Sequence, residues 1–290
     1  MIAVGFTLQP HEATLELCEP LIEGEVDYYE VAPETLWRPD DTGRFVPNGF
    51  HRRFEALRDR TGRPFVAHGV GLSVGSASSA DEPRRRRCLE AIATSQRAFD
   101  FRWYTDHLGV TALDGRALTL PLALPMDEAT STRVRSRLVE LQALVPDAGL
   151  ENSVFYYLLG SPLDEPAFLA RCLAGLRLHL LLDLHNVFTM ARNFGFDPED
   201  YLARLPMERV IEMHLSGGET SDPAWLGGAT MRLDSHDHAV PDEVWRLFEQ
   251  VLPRCPNLRG VTLERMEGTV TPADVPLLRD ELRRIRAHVS

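Results

Sequence analysis

The sequence predicts an α/β protein built as a (β/α)8 TIM barrel. Three observations carry that expectation. Eight short apolar runs of strand character recur along the chain, the segments between them have helical periodicity, and nearly every run from the third onward ends in a ligand-type residue. A length of 290 residues is ordinary for one such barrel, and no linker, charge block or low-complexity tract divides it. One domain over residues 1–290 is therefore expected. A doubly wound sheet is the rival, but it usually has fewer strands and opens on a glycine-rich turn that is missing here.

The expected strands are "IAVGFTL" (2–8), "VDYYEVAPE" (26–34), "PFVAHGVGL" (64–72) and "FRWYTDHLG" (101–109). They continue with "GLENSV" (149–154), "HLLLDLHNV" (179–187), "VIEMHLSGG" (210–218) and "GVTLERM" (260–266). Helices are expected over 83–99, 131–145 and 164–176, where Pro83 and Pro166 suit a first helical turn. In "AVPDEVWRLFEQVL" the apolar spacing of Val244, Leu247, Phe248 and Val251 predicts another helix, with acids at its start.

Composition excludes several chemistries. The chain has no lysine, so all 31 basic residues are arginine. Schiff bases, a pyridoxal-phosphate anchor, a Walker A lysine and a lysine general base are thereby removed. Arginine stays charged near pH 7 and can only bind or stabilise charge. Proton transfer falls to His, Asp, Glu, Tyr or metal-bound water. The net charge of −12 argues against a nucleic-acid surface. Cys18, Cys88, Cys172 and Cys255 are far apart and read as buried free thiols of a reducing compartment. No run of 18 apolar residues appears, and "MIAVGFTLQP" lacks the features of a signal peptide, so a cytoplasmic protein without a membrane span is expected.

The placement of polar residues points to metal. His68 closes the third run, Asp106 and His107 the fourth, and Glu151 and Asn152 the fifth. Asp183, His185 and Asn186 close the sixth, His214 the seventh and Glu264 the eighth. In a barrel these strand ends converge on one rim. Beyond the seventh run, "DSHDH" brings Asp234 and His236, two apart, to the same rim, with His238 at the same parity but nearer a helix start. Asp237 and Asp242 read as helix capping and dipole compensation. Glu34, ending the second run, is explained as well by an ion pair.

Any one of these residues alone is more often a satisfied polar group than a ligand. Together they are different, because buried unpaired carboxylates cost several kcal/mol each unless cations neutralise them. Imidazole and carboxylate ligands, with an amide at Asn186 and no cysteine at a strand end, suit iron, manganese or zinc. The candidates are too many for one ion. Two or three are implied, with a carboxylate such as Glu151 able to bridge a pair roughly 3.5–4 Å apart.

The motifs "HGVGLSVG", "TDHLG", "LENSVFYY", "LLLDLHNV", "IEMHLSGG", "LDSHDHAVPDEVW" and "TLERM" together resemble the DUF692 family over roughly residues 2–270. These are multinuclear non-haem iron-dependent oxidative enzymes, relatives of the methanobactin biosynthesis oxygenase and a branch of the xylose isomerase-like barrels. The resemblance implies two or three irons at the rim and use of O2 to oxidise a residue, cysteine most often, of a ribosomally made precursor peptide. It also implies a small partner protein that captures the leader segment. Carried over motif by motif, His68, His107 and Glu151 hold the first iron. Glu151 bridges to a second, completed by Asp183, His214 and Glu264, while Asn186, Asp234 and His236 form the third position. Asp106, His185 and His238 are the candidate catalytic residues, Asp106 orienting an imidazole and the two histidines facing substrate or supporting a ligand. "YTDHLG" has threonine where serine is more usual. Three rival readings share the ligand pattern: a three-zinc phosphodiesterase like endonuclease IV, a sugar isomerase, and a barrel that only binds metal or peptide.

Overall fold

The computed structural model describes residues 1–290, the side chain of Thr119 excepted. Eight parallel strands close a barrel: β1 (Ala3–Thr7), β2 (Tyr28–Val31), β3 (Phe65–Gly69), β4 (Tyr104–His107), β5 (Ala148–Glu151), β6 (Leu178–Asp183), β7 (Val210–Leu215) and β8 (Gly260–Leu263). Each strand pairs with its sequence neighbours, and β1 pairs with β8 to complete the ring. The principal helices around it are α1 (Glu12–Gly24), α2 (Gly49–Thr61), α3 (Glu82–Phe99), α4 (Glu128–Gln142), α5 (Glu165–Leu173), α6 (Leu184–Phe194), α7 (Asp242–Val251) and α8 (Asp274–Val289). The main apolar core lies between the strands and these helices, with Val4, Phe65, Leu150, Leu180 and Val261 fully buried in it.

Strand alternation divides the remaining residues between two faces. In β2, Tyr29 and Val31 join the outer core, while Tyr28 and Glu30 turn inward. The ring of Tyr28 lies across the barrel against Gly5 and Gly260, where a Cβ on either glycine would collide with it. Its hydroxyl donates to Glu212 at 2.9 Å and lies 2.6 Å from Thr262 Oγ1. The lower barrel is therefore polar at its centre, and its carboxylates are hydrogen-bonded.

All eight expected strands form, each shorter than the run that announced it. β6 stops at Asp183 because that side chain accepts the Asn186 N–H at 2.6 Å and caps α6. His185 and Asn186 therefore stand in the first turn of a helix, not on the strand. Asp127 caps α4 by accepting the Thr130 N–H at 2.8 Å, so that helix starts at Glu128 instead of Ser131. Pro83 and Pro166 do occupy first-turn positions of α3 and α5. Asp237 does not cap α7: its carboxylate accepts from the Ser235 hydroxyl and pairs with His238, while Pro241 holds the cap position. Asp242 lies in the first turn, where its charge opposes the helix dipole. Glu34 falls in a 3-10 turn, Pro33–Leu36, not at the strand end. Two hairpins, Trp37–Pro39 with Phe45–Pro47 and Val110–Leu113 with Arg116–Leu122, are additions to the expected plan.

Candidate metal centre

Parallel register brings the polar strand ends together. His107 stands beside Glu151 across β4 and β5, and Asp183 beside His214 across β6 and β7. Glu151 is the hub of the first group: its Oε2 lies 3.3 Å from Nε2 of both His68 and His107. The two imidazoles stack with centroids 4.4 Å apart. Each is oriented through its other nitrogen, Nδ1 of His68 against the Thr105 hydroxyl and Nδ1 of His107 against the Gly69 carbonyl, both at 3.0 Å. That leaves both Nε2 atoms facing the carboxylate.

A second group gathers on His214. Its Nδ1 is 3.1 Å from Glu264 and 3.9 Å from Asp183, and its Nε2 is 2.8 Å from Glu30. Asp183 serves two purposes, since Oδ1 caps α6 while Oδ2 is left toward the cluster.

The third group comes from the loop after β7. Asp234 Oδ1 lies 2.8 Å from Nε2 of His236 and 2.9 Å from Nδ1 of His185. His236 adopts a left-handed backbone with φ of 50°, a conformation that costs a non-glycine residue about 1 kcal/mol or more. The Met266 N–H donates to its carbonyl at 2.8 Å and fixes it there, so that the ring returns to within 3.7 Å of Glu264. Gly217 and Gly218 allow this loop to lie on the strand end, because a Cβ on either would meet the backbone of Ala239 or Leu233. The third group is thereby joined to the second.

Five buried atoms in these groups make no well-formed hydrogen bond: Asp183 Oδ2 and Asn186 Oδ1, and, despite their ion-pair neighbours, Glu151 Oε2, His214 Nδ1 and His236 Nε2. Asn186 is especially informative. Its amide nitrogen donates to Glu151 Oε1 at 3.2 Å and to the Asn152 carbonyl at 3.1 Å, which leaves its oxygen without a partner and free to meet a cation. A buried polar atom left without a hydrogen bond costs about 1–3 kcal/mol, offset in part where an opposite charge is near. Cations shared among them remove that cost, and the donor set of imidazole, carboxylate and amide oxygen fits them.

The titration of the groups follows the same electrostatics. Burial alone would lower the His68 imidazole, but Glu151 outweighs it and raises the group to about 9. Burial, then the charges of Asp234, Glu151 and Glu264, pushes Asp183 well above the carboxylate range. Burial works likewise on Glu264, yet His214 and His236 hold it far below that range.

All nine expected ligands are therefore brought into one connected cluster. Of the other three expected residues, His185 joins the cluster through Asp234, while Asp106 and His238 lie outside it. Asp106 lies on the strand face opposite Thr105 and His107, where burial and the charge of Glu34 raise its carboxyl, and the imidazoles are oriented by Thr105, Gly69 and Glu30 instead. His238 is exposed and paired with Asp237, outside the cluster. His185 has no exposed surface and holds Asp234, which fits support of a ligand and not contact with substrate. Three supporting residues lay outside the expectation: Glu30, Glu212 and Tyr156, whose hydroxyl accepts the Asp234 N–H at 3.0 Å. For Glu212 the signal was present, since it stands two before His214 on the same strand face.

Barrel and cluster define a (β/α)8 barrel with a candidate metal centre at its rim. The fold is similar to that of endonuclease IV from Thermus thermophilus, with a TM-score of 0.56 at 17% identity over 98% of this chain and 99% of that one. It is equally similar to D-psicose 3-epimerase from Clostridium cellulolyticum, with a TM-score of 0.56 at 14% identity over 99% and 97% of the two chains. At such identities the likeness concerns the fold alone. Sequence relationship is narrower. The chain is 33% identical to UPF0276 protein PA3283 of Pseudomonas aeruginosa over 253 residues, 86% of this chain and 82% of that relative. The family model described as RiPP precursor modification enzyme MbnB/TglH/ChrH matches residues 3–290. The chain belongs to this family, the DUF692 or multinuclear non-haem iron family, and so to enzymes that modify ribosomally made precursor peptides.

Proposed function

We propose that this protein is an O2-dependent oxidative enzyme that holds two or three iron ions at the barrel rim and modifies a side chain, cysteine first, of a ribosomal precursor peptide. The convergence of five orphaned donor atoms on one cluster carries the reading. His68, His107 and Glu151 would hold one ion, and Glu151, Asp183, His214 and Glu264 a second. Asn186, Asp234 and His236 would hold a third, more weakly, because an amide oxygen is a poorer donor than an imidazole. Iron bound there supplies redox chemistry with O2 that no side chain of this protein can provide.

The chain's own contribution is orientation and exclusion. Thr105, Gly69 and Glu30 fix imidazole directions, and the Asp183 cap fixes a carboxylate. With no lysine in the chain, proton movement at the rim is left to imidazole and carboxyl groups. A peptide substrate agrees with the surface around the mouth. Leu113, Leu120, Tyr157, Leu159, Trp225 and Leu226 are exposed, and all lie in segments that follow β4, β5 or β7 on the rim side. Apolar side chains collected around one opening are a usual mark of a protein or peptide contact. A small leader-capturing partner would use the same surface and raise the local peptide concentration. Among the described residues no helix is long and apolar enough to cross a membrane.

The test is metal analysis of protein purified without air, with Mössbauer spectroscopy on an iron-57 sample, followed by O2 uptake with candidate peptides. Two or three irons per chain with a coupled pair are expected. Zinc in the same positions, with no iron after anaerobic reconstitution, would overturn the reading in favour of hydrolysis.

A further inference from the structure

Beside the metal cluster, on the other side of the loop that carries Asp234, lies a separate cavity of about 850 Å3. It opens between α6, α7 and the segment 220–232, with Phe188 and Phe196 among its apolar walls. Three arginines face it, Arg192, Arg232 and Arg246. Two glutamates also line it: Glu199 is paired through Oε2 with Arg254 at 3.3 Å while its Oε1 has no partner, and Glu243 lies 3.9 Å from Arg246. Neither Arg192 nor Arg232 has a carboxylate partner among the described residues, in a protein of net charge −12 where many arginines are paired. The cavity thus carries one more arginine than glutamate, a local excess of positive charge on an acidic molecule.

Arg232 is held in place for a ligand. Its backbone is clamped by Asn193, which accepts the Arg232 N–H at 2.7 Å and donates to the Arg232 carbonyl at 3.0 Å. Its guanidinium lies 5.5 Å over the Phe188 ring, and its Nε is buried without a partner. A guanidinium fixed in this way loses little freedom on binding a carboxylate. The same group reaches the metal side: Nη2 is 3.4 Å from Nε2 of His185, whose Nδ1 holds Asp234.

We propose that this recess is a second peptide subsite, which takes a carboxylate-bearing segment of the substrate while another residue of that peptide lies at the metal cluster. The inference rests on the peptide-modifying reading for its biological ligand. The volume suits a few side chains of an extended peptide, and the apolar walls take the methylene stems of acidic side chains while the arginines take their carboxylates. The Arg232–His185 contact puts the two places side by side, close enough for a single extended peptide to reach both. The acidic group then fixes the register of the segment presented for chemistry.

Binding can be measured without turnover or O2, which separates this inference from the oxidative reading. The probe is fluorescein-labelled hexaglutamate, followed by anisotropy with the full chain as purified, and labelled hexaglutamine is the uncharged control. Hexaglutamate is expected to bind, to weaken about tenfold or more in the Arg192→Ala/Arg246→Ala protein, and to weaken with added salt. Both substituted side chains are exposed, so the fold should be retained. Equal binding of hexaglutamate by the double variant, or equal binding of hexaglutamine by the unaltered protein, would overturn the assignment. Binding of inorganic phosphate in competition with a labelled phosphate, without any binding of hexaglutamate, would also overturn it and leave a small-anion site.

Discussion

Glu30 and His214 form a fully buried pair, with the carboxylate 2.8 Å from Nε2 on the side of the ring opposite the metal cluster. The Thr7 hydroxyl donates to the other carboxylate oxygen at 2.9 Å, so the pair is itself anchored to β1. The contact fixes a proton on Nε2 and leaves the Nδ1 lone pair facing the space shared with Asp183 and Glu264, where a cation would take it. Partners of this kind typically contribute 10–100-fold to metal affinity, an order-of-magnitude range. Glu30→Gln preserves shape but loses the charge that favours the Nε2–H tautomer. Its metal affinity should fall by about tenfold or more, with far-ultraviolet circular dichroism unchanged. Competition titration with a chelator measures it, and unaltered affinity would remove Glu30 from the orienting role.

Glu151 is shared more widely than any other acid of the cluster. Its Oε2 faces two imidazoles and its Oε1 accepts from Asn186. Glu151→Gln replaces an anion by an amide at the one position common to the first and second groups. Metal content should drop by at least one ion per chain and turnover should fall to background. A variant that kept full metal and full turnover would show that the two groups do not depend on a common carboxylate.

The two histidines of "DSHDH" should behave oppositely. His236 is tied to Asp234 and Glu264, whereas His238 is exposed and bonded only to Asp237. His236→Ala should empty the third position alone, leaving the ions held by the first two groups. His238→Ala should change neither metal content nor turnover. Metal stoichiometry of the two proteins, prepared side by side, decides both points, and loss of all metal in His236→Ala would contradict independent third-site binding.

The candidate ligands were legible because a parallel barrel turns sequence position into spatial position. A polar residue at the end of an apolar run, as at His68, Glu151 or His214, has few other places to go. The same reasoning failed at Asp106, where alternation sends the side chain away from its neighbours Thr105 and His107, and at His238, where parity was counted across a loop that is not extended. His236 breaks that parity with its left-handed backbone. Glu30 was passed over because a strand-interior acid looks like a misfit until its partner, 184 positions away, is known. Such pairs depend on long-range closure, which local pattern does not encode. The hairpin additions and the shortened strand ends, such as β6 ending at its own capping aspartate, reflect competition between sheet pairing and side-chain hydrogen bonds at boundaries.

A last consequence concerns pH. Glu165, at the start of α5, is buried and accepts the Ser153 N–H and the Tyr201 hydroxyl, each at 2.9 Å, which ties this helix to the segment just after Glu151. Burial pushes its carboxyl up from an ordinary 4.5 to about 7, although both hydrogen bonds favour the anion. A folded value above the unfolded one means that the folded state holds the proton more tightly. The stability this contributes is fully present below pH 4.5 and is lost as pH rises through 7. The shift corresponds to about 3 kcal/mol across that window. Glu165→Gln keeps donor and acceptor capacity but cannot ionise, so it should become the more stable of the two proteins as pH rises from about 5 to about 8. Urea unfolding of metal-free protein at a series of pH values gives the difference directly. If the gap between the two proteins stayed constant over that range, Glu165 would have the same proton affinity folded and unfolded, and its burial would not be felt by its charge.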